Sequence, residues 1–457
     1  MKLTRFRATT AAIALLLTAH AQAQPAPGAE DAAPVGDLGT DETAAVSPWA
    51  PKPPKPDKDP FEVAWHGQFR ARGIAHSGRD FVKTDLLETE YITQRARLTM
   101  DAKTPGGLKF GAQVQDTRIW GEEAHTLNDK SADGLDMHQA WAQIPLPANL
   151  QLKVGRQEIV HDDARLIGNV DWVQRAQSFD GVRLLGEHGL HKYDAFWVMI
   201  RERELGDPDG SAIAQHPGNV QLGALHAALV FGALKVAPAY YLRLSGANNE
   251  TRHTAGVRVD AKNEGFAGGG AFYYQMGSVN VPDLDTPGET KSDDFGAMLV
   301  SADVSYTLDA VATKPTFKAF GDYLPGDGTA NSVFDTLYAT NHKFYGEMDF
   351  FLAIPVHTKN RGLMDVGAQL KADVHDKAKL MVTGHYMQST KADDAGEEDL
   401  GTEIDLKAML KPLPHVGVNL LAAVFLPGEG MRSLKGVDKD AKLDTEVFGY
   451  VTCDVSF

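Results

Sequence analysis

Apolar and polar residues alternate with a period of two along most of this sequence, and this pattern constrains the fold more than any other feature. In residues 91–102 one face carries Ile92, Ala96, Leu98, Met100 and Ala102, and the other carries Tyr91, Thr93, Arg95, Arg97, Thr99 and Asp101. The same split recurs in residues 251–262, 363–374 and 401–410. Since successive side chains of a β-strand point to opposite sides of a sheet, each segment is predicted to be a strand with one apolar and one polar face.

The connections between the predicted strands alternate in length. About 18 strands are predicted, an even number typical of bacterial outer-membrane barrels, and one neighbouring pair is Phe266 to Met276 and Phe295 to Leu308. Connections after even-numbered strands are short, such as TPGG and GEHGL, and those after odd-numbered strands are longer and more polar, such as EEAHTLNDKSADG. A soluble carbohydrate-binding β-sandwich shares the alternation but has no reason to keep this asymmetry. The predicted fold is therefore all-β, a transmembrane antiparallel β-barrel with short periplasmic turns and longer extracellular loops.

The last predicted strand ends in an aromatic residue. Its apolar face carries Val447, Gly449, Val451, Cys453, Val455 and Phe457. This pattern resembles the C-terminal signature by which outer-membrane barrels are recognised, which implies the barrel-assembly machinery as a partner through Phe457. Cys453 is then a small residue on the lipid face. An interfacial girdle is predicted from Trp65, Trp120, Trp141, Trp197 and Tyr450, although a register shift of one residue would turn Trp141 into the lumen.

Two segments precede the predicted barrel, which covers residues 61–457. Residues 1–23 have a basic start, an apolar stretch at residues 8–19 and overlapping A-x-A sites, so a secretory signal peptide with cleavage after Ala21 or Ala23 is predicted. The apolar stretch is shorter than the roughly 20 residues that a transmembrane helix needs. Residues 24–60 are rich in Ala, Pro, Asp and Gly, which predicts a flexible periplasmic extension.

Composition argues against several other classes of protein. The formal charge of −16 disfavours nucleic acid as a partner, because binding phosphate requires a basic surface. A single cysteine cannot form an intrachain disulfide or a cysteine metal cluster. Neither an HExxH motif nor a GxSxG elbow occurs in the sequence. We therefore expect a protein that is not an enzyme, with no catalytic residues, no metal-binding residues and no cofactor.

One stretch, residues 154–184, breaks the alternation. It starts and ends as a strand, but its middle interleaves opposite charges: Arg156, Arg165, Arg175 and Arg183 with Glu158, Asp162, Asp163, Asp171 and Asp180. Because unpaired charges are costly to bury, two interpretations follow, a solvated hairpin loop or the charged lining of a water-filled passage. His161, beside Asp162 and Asp163, leaves open a metal or acid/base site, as in an outer-membrane barrel hydrolase.

This stretch closely resembles the central motif of the alginate-export family of outer-membrane porins. The matching positions are Gly155, Arg156, Gln157, Arg165, Leu166, Gly168, Asp171, Trp172, Phe179, Asp180, Gly181 and Arg183. The strands that carry Arg70, Arg72, Arg95 and Arg97 are similar to the family's first strands. The resemblance covers residues 61–457 and is strongest over residues 90–201. It implies an 18-stranded barrel in the outer membrane of a Gram-negative bacterium, surrounded by lipid and lipopolysaccharide, that passively exports a polyanionic polysaccharide through an arginine-lined constriction.

The predicted lumen-lining residues follow from the charge pattern and this resemblance: Arg70, Arg72, Arg95, Arg97, Arg156, Arg165, Arg175, Arg183, Glu158, Asp162, Asp163, Asp171 and Asp180. A guanidinium is always charged and pairs bidentately with carboxylates, while neighbouring aspartates keep anion binding weak enough for release. We expect a porin for anionic solutes, with a carboxylated polysaccharide such as alginate as one candidate. The hypothesis is that residues 158–177 fold into the lumen and set its ion preference. The alternative is a general diffusion porin in which arginine–aspartate ladders brace the barrel.

Overall fold

The structure, a computed structural model, describes residues 60–82, 89–122, 134–201, 219–246, 249–282 and 290–457. The predicted signal peptide and the predicted extension up to residue 59 lie outside this part of the chain. Within the described residues, eighteen strands occur at the predicted places: β1 (Glu62–His76), β2 (Thr89–Lys103), β3 (Lys109–Ile119), β4 (Leu135–Leu146), β5 (Leu150–Gln157), β6 (Phe179–His188), β7 (His191–Arg201), β8 (Val220–Phe231), β9 (Leu234–Ser245), β10 (Glu250–Asn263), β11 (Phe266–Pro282), β12 (Thr290–Thr307), β13 (Thr316–Pro325), β14 (Gly362–His375), β15 (Ala378–Gln388), β16 (Asp399–Leu413), β17 (Val416–Pro427) and β18 (Glu446–Ser456).

The strands form one closed antiparallel barrel, which confirms the predicted fold. Each strand pairs with its neighbours in sequence, and β1 also pairs with β18, from Gln68 opposite Ser456 to His76 opposite Phe448. Strand β10 therefore lies half-way round the ring from β1. Closure satisfies the backbone hydrogen bonds of the first and last strands, which an open sheet edge in a bilayer would leave unpaired.

Helices are short and lie in the connections. Among the described residues they are α1 (Ile354–His357), α2 (Gly430–Lys435) and a single 3₁₀ turn (Asn341–Lys343). In the part of the chain that the structure describes, no helix is long and apolar enough to cross a membrane.

The alternation in the sequence turns apolar side chains outward and polar side chains inward. On β2, Leu98 is 47% exposed whereas Arg95 is fully buried. Cys453 pairs in register with Ala71 and shares the outward face of β18 with Val451 and Val455, as predicted. The inward faces are therefore the polar surface on which an interior site is built.

Two of the five aromatic residues predicted for the girdle face the interior instead. Tyr450 is 4% exposed, and its ring centre lies 4.9 Å from that of Trp172. The ammonium of Lys153 lies 3.8 Å from the ring centre of Trp141 on the inner wall. The girdle prediction is wrong for these two because alternate residues of a strand face opposite sides of the sheet. Tyr450 lies between Gly449 and Val451, which face outward, so its own side chain faces inward. The others are exposed, as predicted: Trp65, Trp120 and Trp197.

Strands β11 and β12 extend beyond their predicted ends. Their pairing continues through Ser278 opposite Asp294 to Pro282 opposite Thr290. On β12 the extension, residues 290–294, is polar on both faces, so hydrophobic periodicity does not indicate it, whereas on β11 Val279 and Val281 still alternate with Ser278 and Asn280. Residues 246–249 connect β9 to β10. This connection is short, although connections after odd-numbered strands were predicted to be long.

Two connections fold into the barrel and pair with each other. We call residues 158–178, between β5 and β6, inner loop 1, and residues 326–361, between β13 and β14, inner loop 2. Ile167 and Tyr338 form a parallel bridge between them. The Gly168 N–H donates to the Tyr338 carbonyl at 2.9 Å, and the Tyr338 N–H donates to the Leu166 carbonyl at 2.9 Å. The two loops therefore form one unit inside the ring.

An aromatic core anchors inner loop 2 to the wall. The ring of Phe350 lies 4.7 Å from Phe425 on β17 and 5.1 Å from Phe81, which follows β1. All three side chains are buried. Burying a phenylalanine contributes roughly 1.5–3 kcal/mol, so this cluster holds the loop firmly against the barrel.

Candidate functional site

Inner loop 1 crosses the barrel from one side to the other. At one end the Asp171 carboxylate pairs with Arg70 on β1 at 3.0 Å. At the other end the Asp163 carboxylate pairs with Arg258 on β10 at 2.8 Å. Because β1 and β10 lie on opposite sides of the ring, this loop spans the lumen, and any route through the barrel passes it.

Three guanidiniums surround the single carboxylate of Asp171. Arg70, Arg95 and Arg97 approach it at 3.0, 2.9 and 3.3 Å. Burial would raise the pKa of Asp171, but these guanidiniums outweigh burial and hold it below its usual 3.8. The buried Nε of Arg95 and Nη2 of Arg97 have no hydrogen-bond partner within the described chain. Positive charge and donor capacity therefore exceed what Asp171 satisfies.

Glu158 adds a second carboxylate at the edge of this cluster. It lies 3.8 Å from the Arg97 guanidinium and 2.8 Å from Nε2 of His138 on β4. Asn169 also donates to it at 2.8 Å. The Glu158 carboxylate thus contacts Asn169 of inner loop 1, Arg97 on β2 and His138 on β4, so it neutralises the charge of Arg97 only in part.

Trp172 joins the wall to both inner loops through its two ring faces. The Arg72 guanidinium lies 3.7 Å from the ring centre. The His342 ring of inner loop 2 stacks at 3.9 Å with 9° between the planes. Two groups this close cannot share one face, so Trp172 lies between a cation of β1 and the imidazole of inner loop 2. Cation–π contacts of desolvated groups contribute about 2 kcal/mol.

His342 makes the pairing of the two loops sensitive to pH. Nδ1 lies 2.7 Å from Asp349 and Nε2 3.2 Å from Glu347. Burial would lower the pKa of His342, but these carboxylates raise it above 6.5. Because its pKa is raised, protonated His342 contributes its full stabilisation below pH 6.5. That stabilisation is lost as the pH rises through the pKa that His342 has in the folded protein.

We therefore expect current noise through reconstituted protein to increase as the pH is raised above 6.5. His342→Gln should show the noisier behaviour at every pH, because a neutral side chain cannot form the charged contact. Single-channel recording between neutral and alkaline pH measures this. His188→Gln, at an exposed histidine near the end of β6, is the matched control. Identical traces for His342→Gln and the unmodified protein at neutral pH would contradict the assignment.

Arg165 connects inner loop 1 to the opposite wall and to inner loop 2. Its buried guanidinium pairs with Asp163 at 3.3 Å and makes a short ion pair with Asp322 on β13. It also lies 4.0 Å from the ring centre of Phe344. Burial would lower the pKa of Arg165, but the Asp322 carboxylate raises it, so the guanidinium is charged inside the barrel.

The charged residues that follow one another in inner loop 1 point to different strands. His161 Nε2 lies 2.9 Å from Asp194 on β7. Asp162 pairs with His226 on β8 at 2.8 Å, and Asp163 pairs with Arg258 on β10. Side chains adjacent in the sequence therefore do not pair with one another. His161 stacks on His226 with the ring centres 4.2 Å apart, and these contacts brace the loop against the wall.

Of the eight arginines predicted to line the lumen, Arg175 stands apart. Arg156 pairs with Asp180 at 2.8 Å and Arg183 with Asp194 at 2.5 Å. The Arg175 side chain is exposed, and its guanidinium makes no hydrogen bond or ion pair with any described residue, although its backbone carbonyl accepts a hydrogen bond from Gln115. Most of the predicted arginines are thus engaged within the protein, while the Arg175 side chain is exposed.

Two cavities meet at Arg175. One, the β1–β3 cavity, has a volume of 530 Å³ and is lined by β1, β2, β3, β18 and both inner loops. The other, the β3–β5 cavity, has a volume of 440 Å³ and includes Asp136, His138 and Arg156. Thr117 and Arg175 belong to both linings. The two cavities therefore adjoin at Arg175, next to the wall that carries the arginine cluster.

The sequence did not indicate the role of inner loop 2, which was predicted only as a long external loop. In the structure Asp335 pairs with Arg243 on β9 at 2.7 Å, and Glu347 pairs with Lys407 on β16 at 2.6 Å. The signal that could have revealed it is its aromatic content, unusual for a solvated loop: Phe334, Phe344, Tyr345, Phe350 and Phe351.

Solved outer-membrane proteins share this fold. OpdK from Pseudomonas aeruginosa aligns with a TM-score of 0.55 at 14% identity, covering 86% of this chain and 99% of that one. OccK8 (OprE) from the same organism gives 0.57 at 11%, covering 87% and 98%. OccAB4 from Acinetobacter baumannii gives 0.56 at 16%, covering 88% and 100%. At these identities the similarity establishes the fold.

The sequence decides the family. The family profile described as alginate export matches residues 62–442. The chain belongs to the alginate-export family. A search among curated proteins found no match. Membership in the alginate-export family confirms the resemblance seen in residues 154–184, and with the barrel it makes the protein a porin-type channel of the outer membrane.

Proposed function

We propose that this member of the alginate-export family gives passive passage to anionic solutes along the route past Arg175. The observation that carries the proposal is the exposed Arg175 guanidinium at the boundary of the two cavities, without a partner among the described residues. A carboxylate entering either cavity meets a cation with which no carboxylate of the described residues pairs. A carboxylated polysaccharide such as alginate is one candidate solute.

The buried arginines support this assignment through the field they create. Arg70, Arg72, Arg95 and Arg97 lie on adjacent strands next to inner loop 1, and Asp171 is the carboxylate at their centre. Their surplus positive charge attracts anions into the lumen. Because most of these guanidiniums already have partners, a passing anion is attracted without being held tightly, as conduction requires.

Export and insertion complete the proposal. The signal peptide at residues 1–23 delivers the chain to the periplasm, and residues 24–60 form a periplasmic extension. The assembly machinery reads the C-terminal strand, where Phe457 and Gly67 of β1 exchange two backbone hydrogen bonds of 3.1 Å. Lipid and lipopolysaccharide surround the outward apolar face. The proposal involves no nucleic acid.

Arg175→Gln is expected to reduce anion over cation permeability about fivefold, since one unscreened charge at contact contributes on the order of 1 kcal/mol. Reversal potentials of the reconstituted protein under a KCl gradient measure this. Arg175→Lys should keep most of the preference. Lys439→Gln removes the same charge from an exposed connection and is the control. An unchanged reversal potential for Arg175→Gln would overturn the proposal.

Solute competition then distinguishes the candidate solutes. Block of current by alginate fragments supports passage of a polysaccharide. Equal permeability to uronate oligomers and to neutral oligosaccharides of the same size indicates a general diffusion porin instead.

A further inference from the structure

We infer that the carboxyl groups of Glu403 and Asp405 share one proton, and that this pair locks a turn of inner loop 2 to the barrel wall. Both residues lie on β16 and face the interior, while Ile404 between them is 42% exposed on the outer face. The lock concerns the position of inner loop 2 and does not depend on which solute passes.

The two carboxyl groups lie against each other in the buried interior. Glu403 is fully buried and Asp405 is 1% exposed. The two groups lie within hydrogen-bond distance of each other. No N–H or O–H of the described residues donates to either carboxyl oxygen of Asp405 or to Oε2 of Glu403. An ionised carboxylate only accepts hydrogen bonds, so a hydrogen bond between these two groups requires a proton on one of them.

The cations nearest to this pair are engaged by other carboxylates. His385 on β15 lies opposite Glu403 in the sheet, but its Nδ1 is 3.0 Å from Asp365 on β14. The Lys407 ammonium on β16 is 2.6 Å from Glu347 of inner loop 2. The residues opposite the pair on β17 are apolar: Ala423 and Phe425. Two ionised carboxylates here would be buried side by side without a cation of their own, and one shared proton removes that cost.

Inner loop 2 rests directly on this pair. The Met348 N–H donates to Oε1 of Glu403 at 2.9 Å. Gly346 has a φ of +86°, and a Cβ at this position would lie 2.5 Å from the Glu403 carboxyl group. Glycine permits both the left-handed backbone and the close approach. The turn at residues 346–348 is therefore fitted to the Glu403 carboxyl group.

Loss of the shared proton would push this turn away. The proton leaves to hydroxide in solution, and the pair then carries two negative charges. Asp349 faces Glu403 and Glu347 faces Asp405, so both carboxylates of the turn are repelled. One proton is released for each opening, so the open fraction rises by up to about tenfold per pH unit on the alkaline side.

Infrared difference spectra of the full-length protein in detergent detect the proton itself. At neutral pH, the spectrum of the unmodified protein minus that of Asp405→Asn should show the carbonyl band of a protonated carboxyl group. Asp405→Asn loses this band because Glu403 then accepts a hydrogen bond from the amide and is ionised. Glu403→Gln should lose it as well. Asp373→Asn, at an inward carboxylate of β14 that pairs with Lys379 at 2.7 Å, is the matched control and should keep the band.

Single-channel recording measures the lock, with His342→Gln as the background so that this imidazole contributes no proton. In that background the fraction of time in open excursions should rise by up to about tenfold per pH unit on the alkaline side. Adding Asp405→Asn should remove this dependence, whereas adding Asp373→Asn should preserve it. Heat-modifiable migration on a gel verifies that each variant is a folded barrel.

Three results would overturn the inference. A carboxyl band of equal size in the unmodified protein and in Asp405→Asn would mean that the pair holds no proton. The band without the alkaline dependence would mean that the pair does not lock the turn. Noise that EDTA raises in the unmodified protein but not in Asp405→Asn would place a divalent cation between the carboxylates instead. The reversal potential measures the proposed anion preference separately, so these results leave that proposal standing.

Discussion

Arg165→Ala is expected to free inner loop 1 from the far wall and to raise single-channel conductance severalfold. The substitution leaves Asp322 buried without its cation and removes the contact with Phe344. Breaking a buried ion pair by removing one partner costs about 3–5 kcal/mol. That is comparable to the stability of a docked loop, so the loop would leave its position for part of the time. Conductance and current noise in planar bilayers measure the change.

A double variant separates loop release from damage to the barrel. Arg165→Met combined with Asp322→Leu removes both charges, so no uncompensated carboxylate remains in the wall. We expect this variant to recover thermal stability relative to Arg165→Ala. Arg156→Ala, which breaks a half-exposed pair with Asp180, should affect stability by less than about 1 kcal/mol. If Arg156→Ala and Arg165→Ala both kept the original conductance and anion preference, inner loop 1 would not control conduction.

The barrel could be predicted from the sequence because one face of each strand meets lipid. That face must be apolar, so period-two alternation marks both the existence and the register of strands such as β2. The prediction fails where this constraint ends. Residues 290–294 of β12 continue the pairing with β11 although they are polar on both faces, so the alternation no longer indicates a strand there.

The candidate site was predictable in its residues but not in their partners. The dense charge of residues 154–184 indicated inner loop 1, and the structure brings it to the strands that carry Arg70 and Arg95. The pair of Arg165 with Asp322 joins residues far apart in sequence, and only the closed ring brings them together. Arg175 illustrates the same limit, because its sequence context matches that of the arginines that brace the loop.

Asp171→Asn is expected to increase the preference for anions, the opposite of the effect of Arg175→Gln. The variant removes the carboxylate at the centre of Arg70, Arg95 and Arg97 and adds one unit of positive charge to the lumen. A change of about 1 kcal/mol corresponds to roughly fivefold in the permeability ratio. Asp454→Asn, at a carboxylate that forms an ion pair only with Arg70 among these three, is the matched control and should have a smaller effect.

Acid should reproduce the effect of this variant, and the sign follows from the lowered pKa of Asp171. Because the pKa of Asp171 is depressed, its carboxylate stabilises the docked loop at pH values above the usual carboxyl pKa of 3.8. That stabilisation is lost as the pH falls through the pKa that Asp171 has in the folded protein. The unmodified protein should therefore gain anion preference and noise only below pH 3.8, while Asp171→Asn should already show both at neutral pH. A shift of equal size in both proteins on acidification would mean that another carboxylate controls the lumen, and Glu158 would then be the next residue to substitute.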